Sequence, residues 1–176
     1  MSHCQKYRIL KSSTACLIVM ISVVFASMAS AAMPPAAGTI GLMASMQSEQ
    51  VDILVPCWVS ASINLAPSAR FVSIGDAYSD YGVGASLRFY RRSENVSPYV
   101  GIRSMALFVS PKTGNGWTDF VIGGAFGGDY FLDEHFSVGV EAQLNVTKSA
   151  EESTRFGNPG GTNINSAMGV FAAVYF

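Results

Sequence analysis

Three side chains in one short segment could together hydrolyse an ester. His135, Ser137 and Glu141 lie two or four residues apart, so they would project from one face of a strand. A histidine base, a serine nucleophile and an orienting acid form a known nucleophilic constellation. Glu141 lies two strand repeats beyond Ser137, however, and His135 directly follows Asp133 and Glu134. We therefore expect His135 to belong to a turn, and we predict no catalytic site.

Charged residues recur in the polar phase of several alternating segments. They are Arg88, Arg103, Asp119, Asp129 and Glu141. If these segments close into a small barrel, the polar phase faces the lumen, where an unpaired charge is costly. Arg103 and Glu141 each lie six residues from the start of their segment, which would place them at similar heights. We predict an Arg103–Glu141 contact, joined by Arg88, and interpret it as a structural network, with an ion path as the alternative.

The remaining polar residues predict neither a cofactor nor a metal site. One of the two histidines lies near the N-terminus, and Asp76 and Asp80 form only a spaced pair of carboxylates. The glycine-rich run 123–128 lacks the spacing, the following helix and the lysine of a phosphate-binding loop. Glycines in a strand more often permit curvature or close packing against a ring.

The segment that carries these groups alternates between apolar and polar residues. One phase of residues 135–147 is apolar throughout: Phe136, Val138, Val140, Ala142, Leu144 and Val146. The other phase is small or polar, and successive side chains of a strand point to opposite faces. The segment predicts a strand that has an apolar medium on one side and a polar medium on the other.

The N-terminal sequence predicts export. Basic residues precede a short apolar run, and an A-x-A motif at residues 29–31 follows, which predicts a cleaved signal peptide over residues 1–31. Three of the eleven basic residues would leave with it, so that eight Lys and Arg would face twelve Asp and Glu, a net charge of −4. Nucleic acid is therefore not an expected partner. Cys57 would remain as a single cysteine, which predicts no internal disulfide.

After residue 38 the chain divides into eight extended segments separated by turn-forming residues. They span residues 39–47, 51–65, 69–76, 82–91, 97–108, 117–131, 135–147 and 166–176. Pro56 interrupts the second segment, and a bulge or kink is expected there because proline cannot donate a ladder hydrogen bond. Residues 32–38 are predicted to be a flexible lead-in.

The C-terminal segment alternates and ends on an aromatic residue. Its apolar phase consists of Met168, Val170, Ala172, Val174 and Phe176. This pattern resembles the closing strand of Gram-negative outer-membrane barrels, whose terminal phenylalanine is read by the barrel-assembly machinery. The resemblance implies that Phe176 is an assembly signal and that this machinery is a partner during insertion.

The predicted connections differ at the two ends of such a barrel. With both termini in the periplasm, the periplasmic turns would be residues 66–68, 92–96 and 132–134, and the longer external loops 109–116 and 148–165. Short inner turns and longer outer loops match the bacterial pattern. Aromatic residues cluster near both ends, which predicts interfacial girdles. Those near the periplasmic end are Phe89, Tyr90, Tyr99, Tyr130, Phe131, Phe136, Tyr175 and Phe176.

Two stretches resemble strands of the outer-membrane β-barrel domain family, the small porin-like proteins with eight strands. They are residues 97–103 (SPYVGIR) and 123–142 (GGAFGGDYFLDEHFSVGVEA), within a resemblance that covers about residues 38–176. It implies an all-β protein, an eight-stranded antiparallel up-and-down transmembrane barrel over residues 39–176, located in the cell outer membrane with its lipid as a partner. A fold does not settle a biochemical role.

Four hypotheses for the role follow. The first is a non-enzymatic structural or surface-interaction protein, monomeric or weakly associating, whose loop 148–165 would contact any extracellular ligand. The second is a narrow channel for ions or small solutes. The third is an enzyme, because His135 and Ser137 with Glu141 are similar to the group found in lipid A deacylase barrels. Their predicted lumenal, periplasmic position argues against catalysis. The fourth is a soluble periplasmic or secreted barrel.

Overall fold

The computed structural model describes residues 33–47, 50–74, 78–92 and 96–176, and the predicted signal peptide lies outside them. These residues form strands and connections only. The strands are β1 (Gly41–Gln47), β2 (Gln50–Leu54), β3 (Cys57–Ser60), β4 (Ile63–Ile74), β5 (Tyr78–Tyr90), β6 (Ser97–Pro111), β7 (Trp117–Phe131), β8 (Phe136–Lys148) and β9 (Thr162–Tyr175). No helix long and apolar enough to cross a membrane occurs in the described part of the chain.

The strands close into one antiparallel barrel. Strands β4 to β8 each pair with the next in sequence, β9 pairs with β1, and β1 pairs with β2. β2 and β3 both pair with β4, at Leu54↔Ser68 and Cys57↔Leu65, and therefore form two halves of one barrel strand. The predicted eight-stranded all-β barrel is confirmed, since this divided strand and the other seven leave no unpaired edge.

The break between β2 and β3 corrects the expected third segment. The chain breaks at Val55 and Pro56, which confirms the irregularity expected there. The turn between β3 and β4 lies at residues 61–62, so the predicted turn at residues 66–68 is wrong, and residues 69–74 of the predicted segment 69–76 are the second half of β4. Pro67 remains in β4 because it lies opposite the break, where its carbonyl accepts the Val55 N–H at 2.9 Å. A proline that faces a gap removes little of the ladder.

Apolar side chains cover the outside of the barrel, and the inside holds polar side chains together with a group of aromatic rings. On β8, Ser137 and Thr147 are fully buried, whereas Val140 and Leu144 are each 58% exposed. The same phase is exposed on other strands, at 55–63% for Ile102, Ile122, Phe126 and Val170. A soluble β-protein has the opposite arrangement, and an apolar exterior is what a transmembrane barrel requires.

The two ends of the barrel differ, as the sequence predicted. One end, here called the turn end, has the short connections 61–62 and 132–135 together with the first residue of β1 and the last of β9. The other, the loop end, has the connections 112–116 and 149–161. Both outer loops are shorter than expected because β6, β8 and β9 extend beyond their predicted limits.

Candidate functional site

An ion pair on the inner face lies at the centre of the lumen. Arg88 of β5 and Glu141 of β8 are 2% and 6% exposed, and Arg88 Nη2 lies 2.9 Å from Glu141 Oε2. Tyr99 donates its hydroxyl to the same oxygen at 2.7 Å, and Gln143 Nε2 donates to Glu141 Oε1 at 2.6 Å. The glutamate therefore accepts a hydrogen bond on both oxygens, which is what a buried carboxylate needs.

Arg88 is also held by two aromatic rings. Its guanidinium lies 5.1 Å from the ring centroid of Tyr99 and 5.1 Å from that of Phe171. Its Nη1 approaches the Met43 sulfur at 3.3 Å. Cation–π contacts of this kind stabilise a guanidinium that is removed from water. The Glu141 carboxylate, the two rings and the Met43 sulfur together hold Arg88 in place.

A second ion-pair group lies nearer the loop end. Arg70 Nε lies 2.9 Å from Asp52 Oδ1, and Arg103 Nη2 lies 3.8 Å from Asp52 Oδ2. Arg70 also donates to Gln50. Sequence reasoning missed Asp52 and Arg70, although Asp52 stood in the inward phase of its segment and was a usable signal. Arg70 was concealed by the misplaced turn.

The ion-pair partner of Glu141 differs from the predicted one. Arg88 forms its ion pair, whereas Arg103 pairs with Asp52 in the neighbouring group. The reason is the stagger of the barrel: Gly127 pairs with both Glu141 and Tyr99, so Tyr99 is level with Glu141. The Arg103 backbone lies four residues further along β6, about 13 Å at the usual strand rise, although its side chain lines a small cavity together with Glu141. Counting from strand starts ignores this stagger.

An aromatic cluster closes the lumen at the turn end. It consists of Trp58, Tyr90, Tyr99, Phe131, Phe171 and Tyr175, each no more than 6% exposed. Ring centroids of Trp58 and Tyr90 are 4.8 Å apart, and those of Tyr90 and Tyr99 are 4.9 Å apart. Four of the rings expected in a girdle, those of Tyr90, Tyr99, Phe131 and Tyr175, therefore lie inside the barrel instead. Residue phase, not height along the strand, decides this.

Two glycines make room for these rings. A Cβ atom at Gly127 would lie 2.6 Å from Tyr99 Cζ, and a Cβ atom at Gly139 would collide with the Phe171 ring. Both distances are well inside van der Waals contact. The prediction that strand glycines pack against rings is confirmed at these positions.

Above the ion pairs, a cavity of about 430 Å³ opens toward the loop end. Its walls combine arginines, amides and a few apolar side chains. They are Gln47, Gln50, Arg70, Arg103, Leu107, Val121, Gln143, Asn145, Thr147, Arg155, Phe156, Asn165 and Ala167. The lumen is thus open toward the loop end and filled by side chains toward the turn end.

The loop 149–161 is tied to the barrel wall by Asp119. This carboxylate, fully buried on β7, accepts hydrogen bonds from Ala150 N at 2.9 Å and Ser153 Oγ at 2.7 Å. Arg155 follows, with Nε 3.5 Å from Asp119 and Nη1 2.8 Å from Asp80. These contacts place the loop against the cavity instead of extending it into solvent.

The three residues that could hydrolyse an ester are not assembled. His135 lies in the turn 132–135, where its side chain is 66% exposed and its ring Nδ1 lies 3.2 Å from Tyr175 O. Ser137 is fully buried and its hydroxyl is 3.3 Å from the Tyr175 hydroxyl. Glu141 is occupied by Arg88. The predicted turn position of His135 is confirmed, since Asp133 accepts its backbone N–H at 2.7 Å.

Phe176 and Asp129 both lie at the turn end of the barrel. Phe176 is 77% exposed beyond β9, and its N–H donates to Ile40 O at 2.8 Å, so its ring is free to contact other molecules. Asp129 is fully buried at the turn end and accepts the Tyr90 hydroxyl at 3.3 Å. No group of three or more metal-ligating His, Cys, Asp or Glu side chains occurs among the described residues.

Comparison with known proteins identifies the fold. Neither the known family models nor the curated protein sequences include a match. Among solved structures, Neisserial surface protein A is similar, with a TM-score of 0.52 and 15% identity over 78% of this chain and 94% of that one. The N-terminal β-barrel domain of Pseudomonas aeruginosa OprF has a TM-score of 0.52 and 11% identity over 78% and 96%. The attachment invasion locus protein Ail of Yersinia pestis is more distant, with a TM-score of 0.41 and 10% identity over 83% and 95%.

The likenesses to Neisserial surface protein A and OprF extend over nearly the whole of each of those two barrels. The chain therefore has the fold of the small eight-stranded outer-membrane β-barrels. At such low identity the likeness establishes the fold alone, so the role must be argued from the lumen and the surface.

Proposed function

We propose that this protein is an integral outer-membrane barrel with a surface-interaction role, inserted with its loop end outside the cell and its turn end in the periplasm. The apolar exterior supports insertion, because Ile102, Ile122 and Phe126 would each be more than 60% exposed to water otherwise. The barrels of Neisserial surface protein A and OprF support the same location by their fold. Outer-membrane lipid is the partner of this surface.

The side chains that fill the lumen at the turn end distinguish between a surface protein and a channel. The ring cluster around Trp58 is buried, and the Arg88–Glu141 pair adjoins it. A conducting pore needs a continuous water path, and an eight-stranded barrel has room for little beyond packed side chains. Neither the rings nor Arg88 and Glu141 line the cavity at the loop end, so the cavity does not extend past them, which supports a binding or contact role over transport.

The outer loops supply the contact surface in this proposal. Loop 149–161 presents exposed polar and charged side chains, among them Glu151, Glu152 and Asn158. Its fastening to Asp119 holds it in one arrangement, which lowers the entropy lost on binding. Binding residues commonly lie on such loops of a rigid scaffold.

Cell fractionation tests the location, and cysteine labelling tests the orientation. In a Cys57→Ser background, Glu152→Cys should react with a membrane-impermeant maleimide on intact cells, because Glu152 is exposed on the outer loop. Glu134→Cys, at the 84% exposed side chain of the opposite turn, should react only after the outer membrane is permeabilised. The reverse pattern, or recovery in the aqueous fraction, would refute the proposal.

Planar bilayer recordings test the closed lumen. The purified protein should give no steady unitary steps under conditions in which a large porin, added as a control, conducts. Regular steps that persist across preparations would favour the channel instead.

A further inference from the structure

We propose that the cavity at the loop end binds a small polyhydroxylated anion, that is, a sugar bearing a carboxylate or a phosphate. Access from outside the cell rests on the proposed orientation, but the binding itself does not. The cavity of about 430 Å³ falls within the range of small-molecule sites. A simple inorganic ion would leave most of that volume to water.

The charge of the walls points to an anion. Three of the lining residues are arginines, Arg70, Arg103 and Arg155, and none of the described residues that line the cavity is a carboxylate. Arginine presents several N–H groups in a plane and suits carboxylate and phosphate oxygens. The cavity therefore offers cationic donors to whatever enters from the loop end.

Of the three arginines in the cavity wall, Arg103 has the longest ion pair. Within the described residues it donates no hydrogen bond, and its one ion pair, to Asp52, is 3.8 Å long. Its side chain is only 12% exposed, so water cannot solvate it as on a free surface. A guanidinium that is largely removed from water gains more free energy from binding an anion than an exposed guanidinium does.

The balance of charge at the cavity floor agrees with this. Glu141 neutralises Arg88, so Arg70 and Arg103 share the single carboxylate of Asp52, which leaves one positive charge there. Asp129 lies toward the turn end, where it interacts electrostatically with Arg88. Asp129 pairs with Ser97, six residues from Arg103 along β6, or about 20 Å at the usual strand rise.

Arg155 has a different part in the site. Asp80 and Asp119 already neutralise it, and both carboxylates are buried behind the cavity wall. Together with Phe156, it forms the side of the cavity that the outer loop supplies. Arg103 is therefore the main anion-binding group, and the loop forms one wall of the cavity.

The amides explain why the anion should carry hydroxyl groups. Gln47, Gln143, Asn145 and Asn165 line the same cavity. Gln47 Nε2 donates to Gln143 Oε1 at 3.2 Å, and Asn145 Nδ2 donates to the same oxygen at 3.3 Å. Amides both donate and accept, so they match the hydroxyls of a sugar.

Calorimetric titration of the purified full-length mature barrel in detergent tests the proposal. The probes are D-glucuronate, D-glucose 6-phosphate and neutral D-glucose. At least one anionic sugar should bind ten or more times more tightly than glucose, and the comparison of the two anions distinguishes a carboxylate site from a phosphate site. Equal or absent binding of all three would overturn the inference, and fractionation would still decide the proposed function separately.

Two variants locate the site. Arg103→Gln should weaken binding of the anionic sugar at least tenfold, since it removes the cation without closing the cavity. Arg91→Gln, an exposed arginine at the turn end, serves as the control and should bind as the parent does. If Arg103→Gln does not fold, Ala167→Phe decides instead, because the ring would occupy the cavity from β9. Parental affinity in either folded variant would refute this site.

Discussion

Replacing Glu141 by glutamine should destabilise the barrel by about 3 kcal/mol, because it leaves a buried cation without its anion. Arg88 is 2% exposed and 2.9 Å from the Glu141 carboxylate, so solvent can neither screen nor replace the partner. Removing one member of a buried pair commonly costs ~3–5 kcal/mol. The Tyr99 and Phe171 rings that flank the guanidinium offset part of this loss, which places the expected value near the lower limit.

The two single variants and the double variant separate the ion pair from other effects. Arg88→Met keeps most of the side-chain volume and should cost a similar amount, since it leaves Glu141 buried without a cation. The double variant carries neither charge, and a buried pair replaced by uncharged groups is often close to neutral. We expect the double variant to be at least about 2 kcal/mol more stable than the sum of the single effects implies.

Urea unfolding in phospholipid vesicles measures these differences, with the folded fraction taken from the mobility of unheated samples on gels. Glu134→Gln is the matched control, because that side chain is 84% exposed and its neutralisation should leave the midpoint unchanged. A Glu141→Gln barrel within about 0.5 kcal/mol of the parent would refute the reasoning, as would strictly additive single effects.

Three further outcomes follow from single contacts. Gly127→Ala should lower stability by ~1–3 kcal/mol in the same urea assay, since its Cβ would lie 2.6 Å from the Tyr99 ring and closer still to the Val140 carbonyl oxygen; an unchanged midpoint would contradict this close packing. Deletion of Phe176 should reduce the amount of barrel in the outer membrane without lowering the stability of refolded protein, because the side chain is 77% exposed. A loss of refolded stability would mean that Phe176 is structural. Asp119→Ala should allow trypsin to cleave after Arg155, as the loop loses its anchor; continued resistance would show that other contacts hold it.

The sequence alone predicted most of the strands and their faces, but not the bounds of β4. The alternation in residues 135–147 correctly assigned Val140 and Leu144 to the exterior and Glu141 to the lumen. This was possible because the direction of a side chain in a strand depends only on its position within that strand. The irregularity at Pro56 was likewise local, since proline always lacks the N–H that a ladder requires.

Only the tertiary structure decided which inward groups meet. Barrel closure staggers neighbouring strands, so Glu141 lies level with Tyr99 and forms its ion pair with Arg88. Arg103 forms its ion pair with Asp52 instead. The same closure places Pro67 opposite a broken strand, where it continues β4 instead of ending it. Stagger and strand breaks are properties of the whole sheet, which no single segment encodes. The cavity, the long Arg103–Asp52 ion pair and the loop fastened to Asp119 arise from that closure.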